Sequence, residues 1–295
     1  MANSKRMMTL LSATALAAGA LFSGSAFGAD ILIDPPVVEA PEIPVERSGW
    51  YLRGDITYDY RESSGGTFYD VGTKAVNGGG MYSGVDSENS FDVGFGVGYQ
   101  INDYFRVDAT GEYVFAAGWK GTAFMDDTTA ADGLGACPLI PTTGGGVVGN
   151  FSGSCTSADS ADVSMFRVMG NAYWDIAHFS GFTPYIGAGL GGAYVMYDDY
   201  KGTEVATTGA GCVGCDPTAT RTSTHKGLSS WRFAYALHAG FAYDLGYNWK
   251  ADFGYSYTDI SGGAMAAREG GGKAFAYDDG FTDHVFRAGL RYQIW

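Results

Sequence analysis

Apolar and polar side chains alternate with a period of two in eight separate stretches of this chain, the periodicity of a β-strand whose two faces meet different surroundings. The first stretch sets Trp50, Leu52, Gly54, Ile56, Tyr58 and Tyr60 against Arg53, Asp55, Thr57 and Asp59. The second sets Phe91, Val93, Phe95, Val97, Tyr99 and Ile101 against Asp92, Gly94, Gly96, Gly98 and Gln100. After an Asn102-Asp103 turn, Phe105, Val107, Ala109, Tyr113 and Phe115 oppose Arg106, Asp108, Thr110 and Glu112. A rougher fourth stretch, 163–176, has Phe166, Val168, Ala172 and Trp174 on one side and Arg167, Asn171 and Asp175 on the other. In the fifth, 184–196, Ile186, Ala188, Leu190, Tyr194 and Met196 face away from Gly187, Gly189 and Gly191. The sixth groups Phe233, Tyr235, Leu237, Ala239, Phe241 and Tyr243, with Arg232, His238 and Asp244 behind them. The seventh opposes Trp249, Ala251, Phe253, Tyr255 and Tyr257 to Lys250, Asp252, Ser256 and Thr258. The last opposes Phe286, Ala288, Leu290, Tyr292 and Ile294 to Arg287, Gly289, Arg291 and Gln293.

Alternation alone does not say which face is outside. A secreted soluble barrel of the lipocalin type would turn the rings inward and needs an exterior rich in Lys and Glu. The polar face here carries Gly, Thr, Asp and Arg instead, so the apolar face is expected to meet lipid. In hydrocarbon an open sheet edge leaves backbone N–H and C=O groups without partners, at several kcal/mol each, so the last strand has to pair with the first. A strand of about 11 residues, rising ~3.3 Å per residue and tilted ~40°, covers ~28 Å, enough for the apolar band. The predicted fold is all-β, an eight-stranded antiparallel up-and-down transmembrane β-barrel over 49–295. Aromatic residues near the strand ends read as two girdles at headgroup level: Trp50, Tyr104, Trp174, Trp249 and Trp295 at one rim, and Tyr60, Trp119, Tyr197, Trp231 and Tyr257 at the other.

Composition changes the picture at the amino-terminus. Charged residues make up 17% of the chain, against about 25% in an ordinary soluble domain, and the mean hydropathy of -0.05 conceals strands that average out. The one long apolar run, Met7 to Phe22, follows Lys5 and Arg6 and leads into Ala26-Phe27-Gly28, so 1–28 reads as a cleaved secretory signal peptide. Segment 29–48 holds Pro35, Pro36, Pro41 and Pro44 among acidic residues and is expected to be an extended periplasmic tail. Losing the two signal cations would deepen the formal charge of -14, which excludes nucleic acid as a partner.

The inward set is expected to form a polar network: Arg53, Asp55, Asp59, Asp92, Arg106, Asp108, Glu112, Arg167, Asp175, Arg232, Lys250, Asp252, Arg287 and Arg291. A tube of eight strands is about wide enough for side chains to fill. Opposite charges partly out of water then pair rather than line a channel. A plugged barrel is expected, with a narrow porin passing small hydrophilic solutes or ions as the alternative.

Catalytic and metal chemistry find little support. His178-Phe179-Ser180 lies at a short turn, His238 belongs with the inward network, and His225 and His284 have no neighbouring nucleophile motif. No cofactor is expected, and Gly94, Gly96 and Gly98 fall at strand period, not in a phosphate loop. Cys137, Cys155, Cys212 and Cys215 are disulfide candidates within loops, with all three connectivities open. A redox pair or zinc half-site at Cys212 and Cys215 lacks the βαβ context or the further ligands it needs.

The WYLRGDITYDY opening, the strands FDVGFGVGYQI and PYIGAGLGGAYV, and the GLRYQIW ending resemble the small eight-stranded outer-membrane proteins of Gram-negative bacteria, most closely the porin-family, opacity-type proteins of alphaproteobacteria. The ending departs from that pattern, since Ile294 holds the outward register and Trp295 follows it. Connections alternate between three tight turns and four long loops, 61–89, 116–162, 198–229 and 261–280. In such barrels short turns are periplasmic and long loops extracellular, which puts both termini in the periplasm. The resemblance implies contact with outer-membrane lipid and lipopolysaccharide, recognition by the outer-membrane assembly machinery, and loops open to host or environmental ligands. The expected role is envelope integrity or surface interaction, such as adhesion or host contact, without enzymatic activity.

Overall fold

A computed structural model describes residues 48–69, 79–126, 154–207, 220–267 and 274–294. The signal and tail segments, Cys137, Cys212, Cys215 and Trp295 lie outside them. The described residues form twelve strands: β1 (Gly49–Ser63), β2 (Gly66–Tyr69), β3 (Gly79–Ser87), β4 (Ser90–Gln100), β5 (Phe105–Asp126), β6 (Ser154–Asp175), β7 (Phe182–Tyr197), β8 (Tyr200–Thr207), β9 (Thr220–His225), β10 (Ser229–Gly246), β11 (Trp249–Ala267) and β12 (Ala274–Gln293).

Eight of them form a closed antiparallel ring, β1-β4-β5-β6-β7-β10-β11-β12, sealed where β1 pairs with β12 from Tyr51↔Gln293 to Ser63↔Phe281. No sheet edge is left over that height. The faces follow the sequence periodicity: Trp50, Leu52, Ile56, Phe95, Leu190, Phe233 and Leu290 are exposed on the outer wall, while Arg53, Asp55, Asp108, Arg167 and Asp252 are buried inside. From Trp50 to Tyr60 this apolar band is about 25 Å tall, given ~3.3 Å per residue and a ~40° tilt.

Three tight connections gather at one rim, the turn end. At the first, the Asn102 side-chain oxygen accepts from the backbone N–H of Tyr104 and Phe105 at 2.9 Å each. At the third, Tyr247 and Asn248 take φ of 50° and 69°, the two left-handed residues of a tight hairpin turn whose twist matches the strands.

At the opposite rim, the hairpin end, strands run on into the segments expected to be loops. Upper β5 and β6 stay paired from Ala117↔Val163 to Asp126↔Ser154, which includes the backbone of Cys155. The β2–β3 hairpin fills the place between β12 and β5 above the ends of β1 and β4, while β8 adds to upper β6 and β9 to β8. These extensions are built from Gly, Ser, Thr, Ala and Asp, so alternation there has little hydrophobic amplitude and is silent to a period-two search.

Two expected girdle residues are not on the wall. A bulge in β5 between Val114 and Ala117 inserts one residue, so odd-numbered side chains that point outward through Phe115 point inward from Ala117 onward. Trp119 is therefore buried, and its indole N–H donates to Ser63 Oγ at 3.3 Å. Tyr197 shares the odd parity of Tyr185, Ala193 and Val195 in β7 and is also buried, donating to Asp278 Oδ2 at 2.8 Å. Trp50, Tyr60, Tyr104, Trp174, Trp231 and Trp249 stand exposed at the rims.

Candidate functional site

Among the described residues, the lumen is where the fold concentrates ionisable side chains, in two storeys that lie beneath a third, apolar one. In the storey nearer the turn end, most polar groups pair with one another, while the terminal nitrogens of Arg106 meet aromatic rings in place of an acceptor. Arg53 forks onto Asp55 at 2.8 and 3.0 Å and donates its third arm to Asp108 at 2.8 Å and Tyr173 Oη at 3.2 Å. Tyr51 also donates to Asp108, at 3.1 Å, and Asn171 Nδ2 donates to the other Asp108 oxygen at 2.8 Å. Arg106 donates to Asp175 at 3.1 Å and lies between the rings of Tyr173 and Tyr185, 4.1 and 4.4 Å from their centroids. Tyr185 donates to Asp252 at 2.5 Å, and Arg291 pairs with the other Asp252 oxygen at 3.2 Å. Lys250 is half-buried at this rim, in register with Arg291 of β12.

Higher up, one guanidinium collects four carboxylates. Arg167 meets Asp59 at 3.2 Å, Glu112 at 3.1 Å, Asp283 at 3.1 Å, and Asp92. Arg287 holds Glu112 at 2.9 Å, and Arg61 holds Asp283 at 2.9 Å with Asp59 at 3.6 Å. All are buried. Stranding one such charge would cost several kcal/mol, so the cluster stands only as a connected set.

Above it the lumen turns apolar. Val114, Val163, Met165, Val195, Ile260, Met265 and Phe281 are almost fully buried and join one hydrophobic cluster with Trp119, Tyr82, Tyr197 and Tyr200. Arg232 sits at the edge of this storey, paired with Asp278 at 2.6 Å.

Beyond the membrane band, Asp159 is buried with Ser157, Tyr82 and Tyr200. Burial pushes its carboxyl above the usual range, opposed by the hydrogen bonds it takes from Ser157, Tyr200 and Tyr82. Burial likewise raises the phenols of Tyr82 and Tyr200, which are hydrogen-bonded to each other.

Every inward residue named from the sequence lies on the lumen side of the ring, but the network also uses residues that pattern reading passed over. Arg61 and Asp283 continue the odd-numbered inward sets of β1 and β12 past the apolar stretch, so parity could have found them. Tyr51, Tyr173 and Tyr185 are polar through their hydroxyls yet count as apolar in an alternation search. Asp278 was not legible, because past Gly280, at φ 108°, the inward set moves from odd to even numbers.

Among the described residues, Ser256 and His238 form a hydrogen-bonded nucleophile-and-base pair in the lumen. Asn171 donates through its nitrogen to Asp108 and Thr110, so its oxygen accepts from His238 Nε2 at 3.1 Å, and His238 Nδ1 accepts from Ser256 at 2.7 Å. Both are buried. Among the described residues, no group of three His, Cys, Asp or Glu side chains is placed to hold a metal ion. His178 is tied into its turn, with Nε2 at 2.7 Å from the Asp103 carbonyl and Nδ1 at 3.1 Å from Thr183 Oγ1.

A closed antiparallel ring of eight strands with a lipid-facing apolar band and a side-chain-filled lumen defines a small transmembrane β-barrel protein. The chain belongs to the family of outer membrane proteins with a β-barrel domain, whose model matches residues 8–293, and its place is the bacterial outer membrane. An uncharacterized protein of Brucella melitensis biotype 1 is 33% identical over 293 residues, covering 92% of this chain and 93% of its own length. A Brucella suis biovar 1 protein is also 33% identical, over 295 residues, with the same coverage. Among solved structures, neisserial surface protein A is similar at 16% identity and a TM-score of 0.42, covering 84% of this chain and 100% of its own. The outer membrane protein OprG of Pseudomonas aeruginosa is similar at 13% identity and a TM-score of 0.40, covering 84% and 98%.

Proposed function

We propose that this barrel is a closed, non-conducting scaffold that holds four hairpin-borne loops at the cell surface, serving envelope integrity and contact with surfaces such as a host cell. The observation that carries this reading is the apolar storey of Met165, Val195, Ile260 and Phe281 stacked on the Arg167 carboxylate cluster. A solute path would have to displace both, stranding buried charges as it did so. The three short turns support a periplasmic turn end with both termini there, and the long paired hairpins an extracellular rim. Lipid and lipopolysaccharide meet the wall in this reading, the assembly machinery is the partner during insertion, and any specific ligand meets the loops.

Planar-bilayer recording of the refolded chain tests closure. No stable single-channel steps are expected; reproducible steps would overturn the scaffold reading in favour of a narrow porin. An epitope placed within 127–153 should be labelled on intact cells, and labelling only after permeabilisation would reverse the orientation.

A further inference from the structure

The outer wall carries a feature that the lumen does not explain. Across β4, β1, β12, β11 and β10 it is indented by an almost wholly apolar groove of about 540 Å³. Its floor is low because Ala239 and Ala288, both facing outward, stand where neighbouring positions bear rings. Its sides are aromatic: Phe241 stacks on Phe253 at 5.4 Å between centroids, and Tyr255 packs on Phe286 at 5.6 Å. The volume lies within the ~300–1,000 Å³ typical of small-molecule sites.

The groove ends in polar groups towards the hairpin rim. Tyr58, one of its lining residues, accepts a hydrogen bond from Asn89 Nδ2 at 2.9 Å, which leaves the phenol proton to be donated. Tyr255, another, is 2.6 Å from His284 Nδ1. With Tyr255 as donor, His284 is the tautomer whose Nε2 carries the proton. His284 sits among the rings of Tyr60 and Tyr257 at 6.1 and 5.7 Å, in the girdle at headgroup level. On that tautomer, Tyr58 on the lining and His284, bonded to the lining residue Tyr255, place two donors at the interfacial end of an apolar trough.

We propose that this groove seats an acyl chain of one outer-leaflet lipid, whose phosphate-bearing head takes hydrogen bonds from Tyr58 and His284. The gradient from methyl-lined floor to donor-lined end is that of a single amphiphile. A second barrel would meet the floor with its own bulky rings, where the trough has room for an extended chain. The leaflet rests on the orientation proposed above; the groove and its polar end do not.

Native mass spectrometry of the refolded full chain in mild detergent, with dipalmitoyl phosphatidylglycerol as probe, tests this. One lipid should bind per barrel. Filling the floor with A239F/A288F should weaken binding about tenfold or more, a shift readily resolved in lipid titration. Removing the donors with Y58F/H284L should weaken the phospholipid but not dipalmitoylglycerol, which lacks the phosphate. A control pair on the β5–β6 wall, A109F/A172F, should leave binding unchanged. Equal binding by all variants would overturn the proposal, as would a dimer that A239F/A288F dissociates without loss of lipid. If that variant fails to fold, seen as lost heat-modifiability on gels, the donor pair still decides. Because the probe is symmetric in leaflet, a reversed orientation leaves this outcome unmoved.

Discussion

Replacing Arg167 by methionine removes the cation at the centre of the lumen while keeping a side chain of similar length. Glu112 retains Arg287 at 2.9 Å and Asp283 retains Arg61 at 2.9 Å, but Asp59 is left with Arg61 at 3.6 Å and Asp92 loses the guanidinium it touches. Breaking a buried pair by deleting one partner costs about 3–5 kcal/mol, because the remaining charge stays desolvated. R167M is therefore expected to lose about that much stability, and D92N/R167M to regain about 1–2 kcal/mol, within the usual coupling of contacting residues. Urea unfolding in lipid vesicles, followed by tryptophan fluorescence and by gel mobility of unheated samples, measures both, provided the denaturant slope is unchanged. A loss under about 1 kcal/mol with no coupling would refute the reasoning, since it would mean that the carboxylates are hydrated or already neutral. A sealed lumen would then be untenable too.

Other outcomes follow from particular contacts. Gly98 lies against the buried Tyr51 ring, where an added Cβ would come within 2.2 Å of Cζ, so G98A should cost about 1–3 kcal/mol in the same assay. Phe281, almost fully buried with Arg61 5.3 Å from its ring centroid, should cost about 3–5 kcal/mol on truncation to alanine, and a loss within error would contradict its place in the apolar storey. Burial raises Asp159 in the folded state, so the folded cap binds that proton more tightly than the unfolded chain does. Its stability is then fully present below the unfolded value of about 4 and falls as pH rises through the raised folded value; D159N should flatten this profile in amide exchange of 156–163 and 200–203. Glu88 and Lys120 pair at 2.8 Å but are exposed, and E88Q should leave the urea midpoint unchanged.

The alternation of Trp50 to Tyr60, Phe91 to Ile101 and Phe286 to Ile294 determined the ring and its orientation of faces, because a strand whose faces differ this much has one arrangement in lipid. A register slip of one residue would turn Arg53 and Arg287 into hydrocarbon. Closure followed from backbone hydrogen bonding alone, and the membrane-spanning inward set from parity. What parity could not carry was anything downstream of a break in it. The β5 bulge at Val114 and Ala117 sends Trp119 inside, and Gly280 does the same for Asp278; neither break changes the local composition, and both are visible only once a neighbouring strand fixes the register. The pairing of Arg167 with Asp59, Asp92, Glu112 and Asp283 joins five strands, and which charges meet depends on the stagger between them. The groove on the wall has the same origin: Ala239 and Ala288 are ordinary small residues in the chain, and become a floor only where strand order sets them among the rings of β10, β11 and β12.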